Sequence, residues 1–295
     1  MSDYINYIDF NATKLGGLAY EIGDYKCAFE NYTKALNKLR EYQGDRMQPI
    51  MMASRLAEKK EETAKKLSKG KAVLNFEVWK LSKSSFVKGT QCVKYLYLDK
   101  FKKEKRKPVS KEKQILYDQG HSFEDNFRNT EFPAGINIKE VVGNFAYFNS
   151  YTKYLLKKPE RQTLYEATII EDEVLVMCDV LIKTEEGQID IYEVKLNSEI
   201  NEAIFNDLAV QYFVCKKRFG ERLNSFNLVL RAENSEPNRK ILNLKSELEK
   251  QIENVNVKIQ EYKQVLKNKE PVLFTGEHCN KPYECEFIDY CKNKS

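Results

Sequence analysis

The chain has 295 residues, of which 42% are apolar and 12% aromatic, so it can form one large domain or two modest ones with a buried core. Its net charge of +5 permits nucleic-acid binding but does not require it. No apolar run approaches the length of a membrane span, and the N-terminus lacks the basic-then-apolar pattern of a secretion signal, so we expect a cytoplasmic protein with no membrane association.

The first 70 residues are predicted to form three helices. These cover Ala12–Tyr20, Ala28–Tyr42 and residues 47–68. Apolar residues recur at helical spacing along the second and third helices. Those expected to face inward are Ala28, Tyr32, Ala35, Leu36, Leu39, Met51, Leu56 and Ala57.

This N-terminal segment resembles known helical interaction modules. The stretch GDYKCAFENYTKAL is similar to one tetratricopeptide hairpin, and with the third helix it resembles the three-helix MIT domain. No second copy of the period follows, so an extended repeat array is not expected. Such modules bind peptides or helices, which implies a protein partner for residues 1–70. The alternative is a plain helical bundle that supports the rest of the chain.

A second domain is predicted over residues 76–295, after a linker at Lys69-Gly70-Lys71. Its composition mixes strand-like and helix-like segments, as in an α/β (α+β) fold. The predicted elements are a helix from Leu81 through Cys92 to Leu98, a helix at 114–130, strands at 139–150 and 164–170, a hairpin of 174–182 and 189–196, a helix at 200–219, a strand at 225–232 and a long amphipathic helix at 238–268.

Eight basic residues fall within the fourteen positions between 100 and 113. Such a run is either a solvated loop or a segment that contacts phosphate, and the sequence leaves both open. The residues are Lys100, Lys102, Lys103, Lys105, Arg106, Lys107, Lys111 and Lys113.

Three charged residues lie on the apolar hairpin: Asp179, Glu193 and Lys195. A three-residue loop over Glu185–Gly187, with the glycine in the left-handed conformation, would place Asp179 opposite Glu193 and Lys195 on the same face. Two adjacent carboxylates are unfavourable unless a cation joins them, and oxygen ligands suit Mg²⁺ or Mn²⁺. The set is suited to phosphodiester hydrolysis, whereas an ordinary cross-strand salt bridge is the alternative.

The seven cysteines form two groups. Cys27, Cys178 and Cys215 lie in apolar or helical surroundings and are predicted to be packing residues. The other four are predicted to bind zinc or an iron–sulfur cluster, because three recur at even spacing in a C-terminal loop and one lies near the start of the domain; the alternative is that they are incidental cysteines. These four are Cys92, Cys279, Cys285 and Cys291.

Asp179 followed by Glu193-Val194-Lys195 resembles the signature of the PD-(D/E)XK, or RecB-like, nuclease superfamily. One upstream cysteine and three C-terminal cysteines resemble its iron–sulfur subgroup, which includes CRISPR-associated adaptation exonucleases and AddB-type nucleases. The segments LSKSSFVKGTQCVKYLYL and EHCNKPYECEFIDYC are similar to the opening and tail of a family of uncharacterised bacterial proteins of this kind. The resemblance covers residues 78–295.

The resemblance implies a restriction-endonuclease-like mixed sheet flanked by helices. It also implies a DNA nuclease that hydrolyses phosphodiester bonds with a metal-activated water. Asp179 and Glu193 match the principal Mg²⁺ or Mn²⁺ ligands, and Lys195 matches the lysine that orients the water. Glu124 matches a further ligand on the first core helix. His121 stands where some members have a metal-binding histidine.

For the four cysteines the resemblance implies a structural [4Fe-4S] cluster. The first gap in the tail is longer than in the adaptation nucleases, so Zn²⁺ remains an alternative. Gln211 and Tyr212 fall where the family often contacts DNA, which is expected to be single-stranded or at an end. The alternative function is a catalytically inactive nucleic-acid-binding or adaptor protein with a zinc site. The complete set of acidic residues and lysine argues against it.

Overall fold

The computed structural model describes residues 4–68, 78–232 and 237–293. The α-helices in these ranges are α1 (Phe10–Glu21), α2 (Tyr25–Arg40), α3 (Met47–Ser68), α4 (Lys83–Gln91), α5 (Val93–Phe101), α6 (Lys111–Glu131), α7 (Ile138–Val142), α8 (Phe148–Leu156), α9 (Glu202–Phe219), α10 (Lys245–Glu249), α11 (Ile252–Val265) and α12 (Ile288–Lys292). The strands are β1 (Leu81–Ser82), β2 (Ile136–Asn137), β3 (Gln162–Glu171), β4 (Val174–Lys183), β5 (Ile189–Lys195), β6 (Leu223–Arg231) and β7 (Arg239–Asn243). None of the described helices combines the length and the apolar character needed to cross a membrane.

The chain divides into two units. The first is Met1–Phe76 with Asn137–Lys158, and the second is Glu77–Ile136 with Pro159–Ser295. The predicted linker, Lys69-Gly70-Lys71, lies outside the described residues. Residues 137–158 group with the N-terminal helices, although they fall within the predicted second domain, 76–295. Within the first unit, Lys14 Nζ donates a hydrogen bond to the Glu140 carbonyl at 2.7 Å.

The three predicted N-terminal helices are confirmed as α1, α2 and α3. Their starts are capped by aspartates: Asp9 accepts from the Ala12 N–H at 2.9 Å, and Asp24 accepts from the Cys27 N–H at 3.0 Å. The five residues predicted on the inner face of α2 are all buried, as is Leu56 of α3. The inward prediction for Met51 is wrong, because five residues turn an α-helix about 140° beyond a full turn from Leu56, and Met51 is 50% exposed.

The predicted strand at residues 139–150 is wrong. Its Val-Val pair and aromatic residues favour a strand locally, but the segment forms α7, a 3₁₀ turn and the start of α8. Asn137 caps α7 by accepting from the Lys139 N–H, and Gly143, at φ +72°, ends it. The buried residues of α8 include Phe148, Tyr151, Thr152 and Leu155, which have helical spacing.

A seven-stranded mixed sheet organises the second unit, as the predicted α/β fold requires. Its strand order is β2-β3-β4-β5-β6-β7, with β1 pairing parallel to β4. β5 and β6 run parallel, whereas β3–β4, β4–β5 and β6–β7 are antiparallel. Helices flank the sheet: Phe127 of α6 packs on Val180 and Val194, and Cys215 of α9 lies 3.8 Å from Cys178, sulfur to sulfur.

Two predicted helices are interrupted. The helix expected from Leu81 to Leu98 is two helices, α4 and α5, which meet at Cys92 in an extended conformation. The helix expected at 238–268 is wrong in its first part, because Arg239–Asn243 pairs with the edge of β6 as strand β7. The remainder forms α10 and α11, and Leu248, Val255, Ile259 and Tyr262 are buried at the spacing of an amphipathic helix.

Candidate active site and cysteine cluster

The predicted hairpin has the expected register. Gly187 takes a φ of +83°, and its N–H donates to the Thr184 carbonyl at 3.0 Å, so the loop is three residues long. Pairing runs from Lys183 with Ile189 to Val180 with Tyr192 and ends one pair before Asp179 and Glu193. The strands therefore begin to separate at the charged residues.

Beyond the last backbone pair of β4 and β5, a side-chain hydrogen bond joins the two strands. Asp179 Oδ2 accepts a hydrogen bond from the Val194 N–H at 2.7 Å. This bond holds the Asp179 side chain against the backbone next to Glu193, whereas the predicted cross-strand pair of Asp179 with Glu193 is not among the backbone pairs. Lys195 Nζ lies 2.6 Å from Glu193 Oε1, so the two residues share a face of β5.

A second lysine enters the site from the start of α4. Lys83 Nζ lies 2.6 Å from Glu193 Oε1 and 2.8 Å from Gln211 Oε1. Asp207 Oδ2 lies 2.8 Å from Lys195 Nζ and 3.5 Å from Lys83 Nζ. Two ammonium groups thus share the carboxylates of Glu193 and Asp207.

Local sequence explains how these residues are presented. Ser82 and Ser85 form a capping box, which fixes Lys83 as the first residue of α4. Asp207 and Gln211 are four residues apart on α9 and therefore share one face. Sequence analysis missed Lys83 and Asp207 as site residues. The only local signal was the resemblance of the LSKSSF segment, in which Lys83 stands, to the family opening.

Arg128 of α6 joins Glu124 to the sheet. Its guanidinium pairs with Glu124 one turn earlier, and Nη2 lies 3.2 Å from Glu166 Oε1 and 3.0 Å from the Asp179 carbonyl oxygen. Glu166 has a φ of +55° within β3, which is strained for a residue other than glycine. Pairs Tyr165–Val180 and Ala167–Cys178 are intact, so the ladder is interrupted only at Glu166 and Asp179.

The described site carries an excess of negative charge. With every carboxyl group counted as ionised, five carboxylates and three cationic side chains give a formal charge of −2. The carboxylates are Glu124, Glu166, Asp179, Glu193 and Asp207, and the cations are Lys83, Arg128 and Lys195. A divalent cation would neutralise this excess.

Burial and charge set the protonation of the site. Burial, with the charges of Glu193 and Glu124, raises the pKa of Asp179 well above its usual value. Burial alone would lower the pKa of Lys195, but Asp207 and Glu193 outweigh it and raise that pKa. The Lys83 pKa is raised for the same reasons. Burial would raise the pKa of Asp207, but Lys195 and Lys83 lower it.

The oxygen-rich residues fit a hard divalent cation. Glu193 is 1% exposed, and its Oε2 has no hydrogen-bond partner among the described residues. A buried carboxylate oxygen without a partner is costly unless a cation or donor binds it. In the described ranges, no three or more His, Cys, Asp or Glu side chains are already grouped as a metal site. Among the acidic residues of the site, Asp179, Glu193 and Glu124 have carboxylates of the kind that such a cation binds, and the charges of Glu193 and Glu124 both act on Asp179.

The remaining predicted site residues have different environments. His121 is exposed, one turn before Glu124 on α6. Gln211 is fully buried and contacts Lys83, which places it in the cluster. Tyr212 is also fully buried, but its ring packs against Phe226 and its hydroxyl contacts Glu249. This is the environment of a core residue and not that of a residue on a DNA-binding surface.

The four predicted cluster cysteines lie together in the second unit. Cys92 stands between α4 and α5, and the Cys285 N–H donates to the Cys279 carbonyl at 2.7 Å. All four line one cavity of about 10 Å³ and belong to a single apolar cluster with Phe287. The start and the end of the second unit therefore meet at these four cysteines.

The thiols in this cluster perturb one another. Burial raises the pKa of Cys285 to about 11, and the neighbouring Cys92 and Cys279 add to the effect. Burial also raises the pKa of Cys291. Four thiolates would repel at this spacing, so a bound cation or cluster would offset their charge. The donor set fits zinc or iron–sulfur chemistry.

Part of the basic run holds the cysteine tail. Arg106 Nε lies 3.2 Å from Glu286 Oε2, and Lys113 Nζ lies 3.0 Å from Glu286 Oε1. Lys107 Nζ lies 3.1 Å from Glu284 Oε1. At these positions the basic residues pair with acidic residues of the tail. These ion pairs join the start of the second unit to its C-terminal end.

The first unit has a groove between α2 and α3. Its volume is about 310 Å³. Four of its lining residues are apolar, and three, Arg40, Lys60 and Glu61, are charged. The lining residues are Phe29, Leu36, Arg40, Ala57, Lys60, Glu61 and Ala64. Its dimensions suit side chains of a peptide or helix.

Comparison with known proteins gives no family model that matches the chain and no curated protein significantly similar to it. The expectation of a nuclease therefore depends on the motif residues and on the geometry of the site.

Proposed function

We propose that the protein is a metal-dependent nuclease that hydrolyses phosphodiester bonds in DNA. The observation that carries this proposal is the convergence of Glu124, Asp179, Glu193 and Lys195 in one cluster with excess negative charge. Buried clusters of carboxylates with a lysine are costly to a fold and characteristic of sites that bind a cation and a phosphate.

Each residue has a distinct part in this mechanism. A divalent cation held by Asp179, Glu193 and Glu124 would supply Lewis-acid stabilisation of the phosphate and favour ionisation of water. Lys195, held by Glu193 and Asp207, acts as a cation that donates a hydrogen bond to the attacking water or to a phosphate oxygen. Its position between two carboxylates suits this role better than that of a general base.

The positioning of Asp179 depends on two contacts. Its carboxylate is fixed by the Val194 N–H, and its carbonyl oxygen by Arg128. Arg128 also contacts Glu124, so one guanidinium sets the distance between acidic residues of α6 and β4. Rigid placement of this kind keeps ligands close despite their repulsion.

The cysteine cluster has a structural part in the proposal. We assign it a [4Fe-4S] cluster, with Zn²⁺ as the alternative, held by Cys92, Cys279, Cys285 and Cys291. A group bound by Cys92 and the three tail cysteines would close the long loop between them. Closing this loop restricts the unfolded chain and holds the C-terminal segment on the domain. The group would stabilise the fold without taking part in hydrolysis.

The helical first unit is proposed to bind a protein partner. The groove between α2 and α3 supports this role. Filling it with Ala57→Trp should abolish co-purification of the partner with the full chain and leave DNA cleavage unchanged. Unchanged co-purification would remove the groove from the proposal.

Cleavage of labelled DNA tests the proposed function. Wild-type protein should cleave single-stranded or double-stranded DNA with Mg²⁺ or Mn²⁺, and Lys195→Ala should reduce the rate by about 100-fold or more. Lys217→Ala is the matched control, since Lys217 is half-exposed and pairs with Asp172. Equal rates for wild type and Lys195→Ala would remove the assigned site. A labelled RNA substrate in parallel distinguishes DNA from RNA specificity.

A further inference from the structure

The Lys83 ammonium group contacts one terminal oxygen of each of two buried side chains, Glu193 and Gln211. Its nitrogen lies 2.6 Å from Glu193 Oε1 and 2.8 Å from Gln211 Oε1. The other terminal atoms, Glu193 Oε2 and Gln211 Nε2, have no hydrogen-bond partner in the described part of the chain. Glu193 is 1% exposed and Gln211 is 0% exposed, so bulk water does not supply the missing hydrogen bonds of these two atoms.

The chemistry of lysine fixes the orientation of both groups. An ammonium only donates hydrogen bonds, so the Gln211 amide must present its oxygen to Lys83 and its NH₂ group away from it. The two remaining atoms are therefore an acceptor on Glu193 and a donor on Gln211. A divalent cation bound to a phosphate satisfies both, because the cation takes the carboxylate oxygen and a phosphate oxygen takes the amide N–H.

We propose that Lys83 is a positioning residue that aims Glu193 and Gln211 at a cation-bound phosphate of the nucleic-acid backbone. This rests on the proposed function and assigns Lys83 a part within it. Lys83 itself is held by its place as the first residue of α4, where Ser82 Oγ accepts from the Ser85 N–H at 3.2 Å. Its side chain is 18% exposed, so it forms part of the wall between the site and the solvent.

A double-mutant cycle on DNA affinity tests the proposal. The variants are Lys83→Met, Gln211→Leu and the combination of both. The measurement is fluorescence anisotropy of a labelled oligonucleotide with Ca²⁺, which should support binding without cleavage. Each single change should weaken binding about tenfold, the value of one charge-assisted hydrogen bond. The double variant should bind no more weakly than the weaker single variant, because Gln211 contributes only when Lys83 orients it.

Additive losses would show that Lys83 contacts phosphate directly, and Lys83→Met with wild-type affinity would show that it has no part in binding; either result overturns the proposal. Lys83→Arg should recover part of the affinity, since it keeps the charge and the donors. Lys80→Met is the control, because Lys80 is exposed and pairs with Glu173. Melting temperatures identify any variant that fails to fold. If Lys83→Met fails to fold, the DNA affinities of Lys83→Arg and Lys80→Met are compared instead. Lys83→Arg should bind DNA more weakly than Lys80→Met, and equal affinities overturn the proposal.

The binding and cleavage results separate the two proposals. Wild-type protein that binds DNA with the predicted non-additivity but never cleaves it refutes nuclease function and keeps the role of Lys83. Wild-type protein that cleaves, with additive effects on binding, refutes the role of Lys83 alone. Wild-type protein that neither binds nor cleaves nucleic acid overturns both.

Discussion

Replacing Arg128 with methionine should destabilise the second unit by several kcal/mol. The Arg128 side chain is 6% exposed and pairs with Glu124 and Glu166, whose side chains are 15% and 13% exposed. Removing one partner of a buried ion pair costs about 3–5 kcal/mol because the other charge stays buried. Some water reaches both glutamates, so we expect about 3 kcal/mol, the lower end of that range. The Asp179 carbonyl also loses its donor.

Urea unfolding followed by tryptophan fluorescence measures this loss, since Trp79 is the chain's single tryptophan and lies in the second unit. Arg218→Met is the matched control. Arg218 lies 3.1 Å from Glu171, but both side chains are about one-third exposed, so its loss should be below about 1 kcal/mol. Adding Glu166→Gln to Arg128→Met should restore part of the stability. If Arg128→Met costs no more than Arg218→Met, the proposed role of the guanidinium in holding the carboxylates is wrong.

Three further predictions test other parts of the structure. Gly89→Ala should destabilise the fold by about 1–3 kcal/mol, because a Cβ would lie 2.7 Å from the buried Tyr262 ring, whereas Gly120→Ala meets nothing within 4 Å and should stabilise its helix by up to about 1 kcal/mol; equal melting temperatures would contradict this. Burial raises the pKa of Cys27 to about 11, so the unfolded thiol ionises first, and the free energy of unfolding should fall by about 2–3 kcal/mol between pH 9 and 11. Cys27→Ala should lack that part of the decline, and an identical pH profile would refute the assignment. Anaerobically purified protein should be brown, and Cys291→Ala should lose both colour and iron; a colourless protein with stoichiometric zinc would exclude the iron–sulfur cluster.

The hairpin and the second helix could be predicted because their determinants are local. The loop Glu185–Gly187 sets the register of β4 and β5 through one glycine at positive φ, and the observed pairs follow from it. Helical spacing likewise identified the buried face of α2. In both segments, local preference and tertiary packing agree.

Lys83 and Asp207 could not be predicted, because the contacts that define their roles are distant in sequence. Lys83 meets Glu193 across 110 residues, and a lysine at a helix start ordinarily faces solvent. Strand β7 was missed for a similar reason: its polar residues resemble a solvent-exposed helix face, and the free edge of β6 decides its conformation. Pairing at a sheet edge depends on a neighbour that the local pattern does not contain.

Single-turnover cleavage of labelled DNA across a range of Mn²⁺ concentrations tests the central claim most directly. The wild-type rate should rise with Mn²⁺, reach a plateau and fall to zero with a chelator. Asp179→Asn should reduce the plateau rate by about 100-fold or more while circular dichroism stays unchanged, because it removes a ligand charge but keeps the shape of the side chain. Cleavage that needs no divalent cation, or an Asp179→Asn rate equal to that of wild type, would contradict the account.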